Sequence, residues 1–428
     1  MLKYFKLYCL CCICCLCLVV GFFSFYNNSF KVAHQKVFNT FQHDSEALVI
    51  GKIIADREHF NIENGGNGGN LAYVSKHAFV YEPFYIYQGY ELLQHSNLEQ
   101  EDIVVTPYSA QYGIQGLIDS FLYNTLKFHI ETLYAKNAFL LAAVVTALTF
   151  LFRKILGKEF AVIFFFSMVL SPWVVSFARN LYWVPFTWFL PAVFSGLLYV
   201  STQKNVRAAC LFFLYASFLF KCLAGYEYIS TSILFAASFF MLDGFLESPR
   251  YLPRNRFNSL MCVLSLGVLA FLSALLLHAW VCSDSLSQGF VAISLDAKRR
   301  TYGDLRALPL GNIIKTYLFN WKTSLVAGIS GKYFSGIIAV AFLTILYQFC
   351  TKHITWRRNL GLVVVFALGP LSWFVLAQGH ASDHFHMNYV LWYFGFVAAC
   401  FYVTYEGLRR IGSKTLQQLY SHIGSKKT

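Results

Sequence analysis

The sequence predicts an all-α integral membrane protein with about ten transmembrane helices and a large first external loop that carries interfacial helices. Three observations lead there. Of the 428 residues 57% are hydrophobic and only 13% are charged, a balance far from that of a soluble globular domain. The apolar residues gather into runs close to the ~20 residues that a helix needs to cross the hydrocarbon. Basic clusters occupy alternate connections between those runs, which fixes an orientation.

Lys3 and Lys6 precede an apolar run from Tyr8 to about Tyr26. No small-residue cleavage site follows, so 1–26 reads as an uncleaved signal-anchor span. Cys9, Cys11, Cys12, Cys14, Cys15 and Cys17 crowd this run without metal-ligand spacing in a polar setting. They read as small apolar residues, with acylation as the lesser alternative. Cys222 and Cys282 fall near external loops and form a candidate disulfide pair, although spacing does not fix connectivity.

Residues 27–136 are too polar to span and form an external loop with interfacial helices. Over 47–60, Ala47, Ile50 and Ile54 make one apolar stripe with Val49 and Ile53 beside it, while Lys52, Asp56 and His59 take the other face. That pattern predicts an amphipathic helix lying in the membrane interface. The Gly/Asn tract Asn64 to Asn70 reads as a flexible loop, and a Tyr-rich run follows from Tyr81 to Tyr90. Thr106 to Ile118 reads as a turn into a second short interfacial helix.

Residues 137–405 form the transmembrane core, with spans near 137–152, 159–176, 184–201, 207–221, 230–246, 258–280, 333–350, 360–377 and 388–405. Kinks or breaks are expected at Pro172, Pro185, Pro191 and Pro370. Residues 406–428 are a cytoplasmic tail. With a cytoplasmic N-terminus, the groups Arg153/Lys154/Lys158, Lys204/Arg207, Arg250/Arg254/Arg256, Lys352/Arg357/Arg358 and Arg409/Arg410/Lys414 all fall on the cytoplasmic side. The net charge of +13 is accounted for by these loops and by contact with anionic lipids or phosphates, so no nucleic-acid partner is expected.

This topology brings the unusual polar residues to the external face, where membrane-edge ionisable groups are functional candidates. Asp44 and Glu46 admit two readings. They cap the coming helix and favour its dipole, or one is a general base for a hydroxyl while the other positions it or shares a divalent metal. Asp56 and Glu58 read as a solvated helix face, with Asp56 pairing Lys52 at i,i+4. Arg179 and Asn180, next to Tyr182 and Trp183, make an interfacial aromatic belt or hold a lipid phosphate. Glu227 forms an ion pair with Lys221, or binds sugar or metal. Lys298, Arg299 and Arg300 cluster in the longest late loop, where guanidinium groups suit a phosphate or diphosphate. His380, Asp383, His384 and His386 have the ligand types of zinc or manganese, but their spacing matches no specific signature; hydrogen bonds to substrate or phosphate are the other reading. No Walker A loop, G-x-G-x-x-G fingerprint or G-x-S-x-G elbow occurs, so any donor is expected to be lipid-borne.

One span, then H-D-S-E-A-L-V-I-G-K-I-I running into an interfacial helix, then a second such helix before the next span, resembles the GT-C fold. That superfamily includes protein O-mannosyltransferases, lipid A aminoarabinose transferases and oligosaccharyltransferases. The resemblance implies a membrane glycosyltransferase whose catalytic aspartate maps to Asp44, with Glu46 as the accompanying acid. It implies a polyprenyl-phosphate or polyprenyl-diphosphate sugar as donor, with Arg179, Arg299 and Arg300 matching the phosphate-binding cations by location. Two departures stand out: Leu181, Tyr182 and Trp183 follow the Arg-Asn pair where relatives often carry a second acid, and the large C-terminal soluble domain of bigger relatives is missing. The second departure favours a glycan or lipid acceptor over a protein. The expected chemistry is an inverting transfer at the external face of a bacterial inner membrane, in cell-envelope polysaccharide biosynthesis, with Tyr182, Trp183, Tyr226 and Tyr228 stacking on the sugar. The endoplasmic reticulum is also compatible. A polysaccharide polymerase or ligase and a multi-pass transporter are the alternatives.

Overall fold

The computed structural model describes residues 2–60, 62, 70–75, 85–94, 103–302 and 308–425, with 2–7, 85–88, 299–300, 302 and 411–425 described by backbone alone. Helix α1 (Leu2–Asn27) ends at Asn28, whose φ of 52° suits asparagine. Its side chain closes the turn: Oδ1 accepts from Val32 N at 2.9 Å and Nδ2 donates to Ala33 O at 2.7 Å.

A compact cap follows, built from α2 (Gln35–Thr40), α3 (His43–Arg57), β1 (Ala72–Ser75), α4 (Tyr85–Gln94), β2 (Val104–Pro107) and α5 (Ile114–Asn124). Strands β1 and β2 pair antiparallel, with Ala72 opposite Pro107 and Ser75 opposite Val104. Helix α3 is the centre of this cap and packs against β1, α4 and α5. The sequence predicts a solvated face on this helix, but Glu46 through Ala55 are all buried and the helix stops at Arg57, leaving Glu58 and His59 outside it. The reason is local. A Cβ on Gly51 would fall 1.9 Å from Ala72 O, so glycine alone lets β1 lie directly on α3. Lys52, on the face expected to meet water, is buried, and it makes the expected i,i+4 pair with the Asp56 carboxylate at 2.8 Å. The second interfacial helix is α5, as the turn at Thr106 to Ile118 predicts. Strand β1, strand β2 and helix α4 carry no periodicity long enough to predict. The Gly/Asn tract up to 69 and residues 81–84 of the Tyr-rich run lie outside the described residues.

The rest of the chain runs through α6 (Ile130–Leu156), α7 (Lys158–Val169), α8 (Pro172–Phe177), α9 (Phe186–Val200), α10 (Lys204–Ala224), α11 (Ile229–Asp243), α12 (Pro253–Val281), α13 (Leu286–Tyr302), α14 (Leu310–Phe319), a small β3 (Ser324–Val326) and β4 (Ile329–Ser330) pair, α15 (Phe334–Cys350), α16 (Trp356–Leu376), α17 (Gln378–Asp383) and α18 (Phe396–Ser425). Among the described residues, 6 helices are long and apolar enough to cross a membrane: α1, α6, α10, α12, α15 with the turn before it, and α16. This is an all-α multi-pass membrane architecture.

The remaining predicted spans are shorter or interrupted. Helices α9 and α11 have 15 residues each, about 23 Å at 1.5 Å per residue. Helix α7 ends before Pro172, where Ser171 Oγ accepts from Val174 N at 3.1 Å and starts α8 afresh. Pro185 is the N-cap of α9, whereas Pro191 and Pro370 sit inside continuous helices. The run near 388–405 opens as a 3-10 turn, Asn388–Tyr393, before α18.

Aromatic packing fills the bundle. Phe152 of α6 touches Phe160 and Phe164 of α7, Phe239 of α11 and Phe366 of α16, with ring centroids 4.8 to 6.0 Å apart. At the end opposite the cap, a buried and a half-buried carboxylate gather the basic loops. Asp243 accepts from Tyr199 OH at 2.5 Å and Arg250 N at 2.7 Å and pairs with Arg256 at 3.6 Å. Glu406 accepts from Arg358 Nη2 and Asn359 Nδ2, each at 2.7 Å. All twelve cysteines are free thiols, so the candidate Cys222–Cys282 disulfide is not formed; Cys222 is buried in α10.

Candidate functional site

A cavity of about 450 Å³ opens where the cap meets the helix ends, and five separate segments line it: Gln42, Asp44 and Ser45; Tyr108; Tyr182 and Trp183; Glu227; and His380, Asp383, His384, His386 and Met387.

The first wall is the start of α3. Gln42 is its N-cap residue, at φ 58°, yet its side chain makes no cap bond and lies 3.1 Å from His386 Nε2. That contact ties the first loop to the last one. Asp44 therefore does not cap the helix. It stands exposed in the first turn, where the helix dipole favours a carboxylate, and it faces the cavity.

Glu46 lies two residues on, on the opposite side of the helix, and does something else. It is 2% exposed and does not line the cavity. Its Oε1 accepts from Leu181 N at 2.8 Å, and its Oε2 accepts from Tyr90 OH at 2.5 Å and Tyr134 OH at 3.2 Å. Burial pushes this carboxyl above its ordinary range. It also raises the Tyr90 hydroxyl and lowers the His43 imidazole, whose Nε2 lies 3.8 Å from Glu46 Oε2. Glu46 joins α3, α4, α6 and the loop after α8.

That loop forms the second wall, and Asn180 folds it. Asn180 Oδ1 accepts from Tyr182 N and Trp183 N, each at 3.0 Å, an Asx turn that aims both aromatic rings at the cavity. Its Nδ2 donates to Phe41 O at 3.1 Å. Val184 is left at φ 37°, an unusual conformation for a β-branched residue. Gln115 braces the loop from α5, its Nε2 donating to Tyr182 O at 3.0 Å and Ala224 O at 2.9 Å. Arg179 does not reach the cavity. Its guanidinium stacks 4.4 Å over the Phe38 ring and 5.1 Å over Tyr134 and donates to Asn39 Oδ1 at 3.1 Å.

Glu227 supplies the third wall. Lys221 is buried beneath the turn, its Nζ donating to Gly225 O at 2.5 Å, and does not line the cavity. A Cβ on Gly225 would meet Glu227 Oε2 at 2.6 Å and Gln111 Oε1 at 2.7 Å, so the carboxylate and the amide sit side by side over this glycine. Both amide atoms of Gln111 are buried with no hydrogen-bond partner among the described residues. Sequence reasoning missed Gln111, because a glutamine in a turn gives no signal. Tyr226 and Tyr228 are not at the cavity, contrary to expectation. Tyr226 OH turns away to His278 Nδ1 at 3.1 Å, and Tyr228 is buried among Trp183, Trp188 and Trp373.

The last wall is the turn after α16. His380 and His384 have ring centroids 4.5 Å apart, and His384 and His386 5.8 Å apart. The turn is held by Tyr317 OH, which donates to Ala381 O at 2.8 Å, and by Leu308 N, which donates to Ser382 Oγ at 2.9 Å. Burial lowers the His386 imidazole. Lys298 belongs to helix α13 rather than to a loop; it is exposed and outside the cavity lining. The Arg299 and Arg300 side chains lie outside the described residues. Among the described residues no three His, Cys, Asp or Glu side chains group as a metal ligand set.

Family models, curated proteins and solved structures were compared with the chain, and none matches it. The cavity itself offers carboxylates, imidazoles and indole and phenol rings from segments far apart in sequence. That combination suits a polyhydroxylated ring held by its faces and its hydroxyl edge.

Proposed function

We propose that the chain is a membrane glycosyltransferase that moves a sugar from a polyprenyl-phosphate donor to a glycan, lipid or protein acceptor at the external face. The observation that carries this reading is the convergence of Asp44, Glu227, His380 and His384 with Tyr182 and Trp183 on one cavity. The GT-C resemblance of the first loop adds to it.

In this reading the chain crosses the membrane ten times from a cytoplasmic N-terminus. The basic clusters lie inside, and the cap with its cavity lies outside. Asp44 takes the proton of the acceptor hydroxyl as its oxygen attacks the anomeric carbon. The new C–O bond forms as the bond to the donor phosphate breaks, with inversion, and the polyprenyl phosphate leaves with the electron pair. Tyr182 and Trp183 hold the ring, Glu227 takes sugar hydroxyls, and the histidine turn faces the leaving phosphate. Glu46 positions Asp44 by fixing the first turns of α3. Arg179, Lys221 and Lys298 stand outside this reaction centre.

Each of the ion pairs Asp119 with Lys136, Asp243 with Arg256 and Glu406 with Arg358 has a basic partner within the first two turns of a helix, α6, α12 or α16. A transporter would place such charges at mid-membrane. The glycosyltransferase reading is tested by removing the Asp44 carboxylate and following the lipid-linked sugar, which accumulates if transfer stops.

A further inference from the structure

A second cleft, of about 470 Å³, lies away from the candidate site between the end of α3 and α5, and the glycosyltransferase reading makes no use of it. Its floor is a polar chain. Asp56 Oδ1 pairs with Lys52 Nζ at 2.8 Å, and its Oδ2 accepts from Ser120 Oγ at 2.5 Å. Asn124 Nδ2 donates to Ser120 Oγ at 3.1 Å and to Ile53 O at 2.9 Å. The acids nearby are neutralised, Asp56 by Lys52 and Glu58 by Arg57 at 2.6 Å, so the cleft does not repel an anion.

Arg57, paired with Glu58, lines it, and so do His59 and Lys127 from facing loops, both of them exposed. Both also hold a left-handed backbone, φ 58° at His59 and φ 57° at Lys127, which L residues with long side chains adopt only where the surroundings impose it. The remaining wall is apolar and open, with Leu117 37% and Phe121 54% exposed. Leu126, 50% exposed, and Phe128 flank Lys127 directly, and α6 starts at Ile130. The short chain between α5 and α6, a helix long and apolar enough to cross a membrane, therefore carries exposed apolar side chains on both sides of Lys127, a pattern that suits insertion beside a basic residue at a bilayer surface.

We propose that this cleft binds the headgroup of an anionic membrane phospholipid, with the phosphate between His59 and Lys127 and an acyl chain along Leu117 and Phe121. The occupant is a lipid rather than a soluble anion because the apolar lip is continuous with Leu126 and Phe128 at the membrane entry of α6.

The test is native mass spectrometry of the full chain, purified in detergent and titrated with phosphatidylglycerol or phosphatidylcholine. The wild type is expected to retain phosphatidylglycerol preferentially, and Lys127→Gln to lose about fivefold in that retention, the effect of one basic residue at a lipid surface. Acidic replacement of both facing residues, Lys127→Glu with His59→Glu, is expected to abolish the preference, and Phe121→Ser to weaken phosphatidylglycerol retention. Glycerol phosphate at the same concentration is expected not to displace the lipid. Each variant is first checked for an unchanged elution profile, and exposed Lys127→Gln serves if the double variant misfolds. Equal retention of both lipids by wild type and Lys127→Gln would overturn the proposal, and displacement by glycerol phosphate would reassign the cleft to a soluble anion.

Discussion

Asp44 and Glu46 are two residues apart and carry the same functional group, yet their surroundings give them opposite tasks. Asp44 is exposed at the cavity. Glu46 is buried under three hydrogen-bond donors. The sequence makes the pair legible as a candidate, because acids just past the first span are rare in this chain. It does not separate them, since the donors come from residues 90, 134 and 181, and no local pattern encodes that meeting. Arg179 eluded the sequence reading for the same reason: its aromatic partners Phe38 and Tyr134 are far away in the chain. Glu46 carries its own prediction. Burial makes its carboxyl hold a proton more tightly in the folded state than in the unfolded one. Its contribution to stability is therefore fully present below the ordinary carboxylate range and is lost as pH rises through its raised value. Thermal unfolding in detergent across pH 4 to 8 should show the wild type losing stability as pH rises relative to Glu46→Gln, which mimics the protonated form. Glu46→Ala should be less stable by about 1–3 kcal/mol, because Leu181 N and two tyrosine hydroxyls lose their acceptor. A Glu46→Gln profile parallel to the wild type would show that this group does not set the pH dependence.

At the scale of elements, α3 depends on what lies against it rather than on its own pattern. Its apolar stripe was readable, and so was the Lys52–Asp56 pair at i,i+4, which forms at 2.8 Å. The covering elements were not, because strands of four residues leave too few alternations to recognise. Gly51 decides how close they come. In an isolated helix Gly→Ala would stabilise by about 1 kcal/mol. Here the added Cβ would meet backbone, Ala72 O at 1.9 Å and Ala72 C at 2.8 Å, which no side-chain rotation relieves. Overpacking of this kind costs about 1–3 kcal/mol, so the clash wins. Gly51→Ala should lower the melting temperature and speed proteolysis of the cap while leaving helical content nearly unchanged. Unaltered cap proteolysis would show that β1 does not lie on α3.

At the scale of the whole molecule, the hydrophobic runs and basic loops made the membrane architecture legible, since span length and charge bias are physical requirements of the bilayer. The interruptions were less so. Pro172 ends a helix, whereas Pro191 and Pro370 are absorbed inside one, and which occurs depends on tertiary packing. The ten-pass path is checked by reporter fusions: an enzyme active only outside the cytoplasm should work when fused after residues 125, 226 or 285 and fail after 156, 203 or 248. A fusion after 226 that fails would remove Glu227 from the external cavity. The central claim is that Asp44 is the base of a sugar transfer, and complementation tests it most directly. Cells lacking the protein would receive wild type, Asp44→Asn, Asp44→Ala or Glu46→Gln, with membrane levels matched and surface glycan and lipid-linked intermediates read by mass spectrometry. Both Asp44 variants should lose one sugar from the glycan, accumulate the polyprenyl-phosphate sugar and transfer at least about 100-fold more slowly, as expected for a general base. Glu46→Gln should retain transfer. A glycan of unchanged mass with Asp44→Ala would contradict the account and leave Glu227 and the histidine turn as the remaining candidates in the cavity.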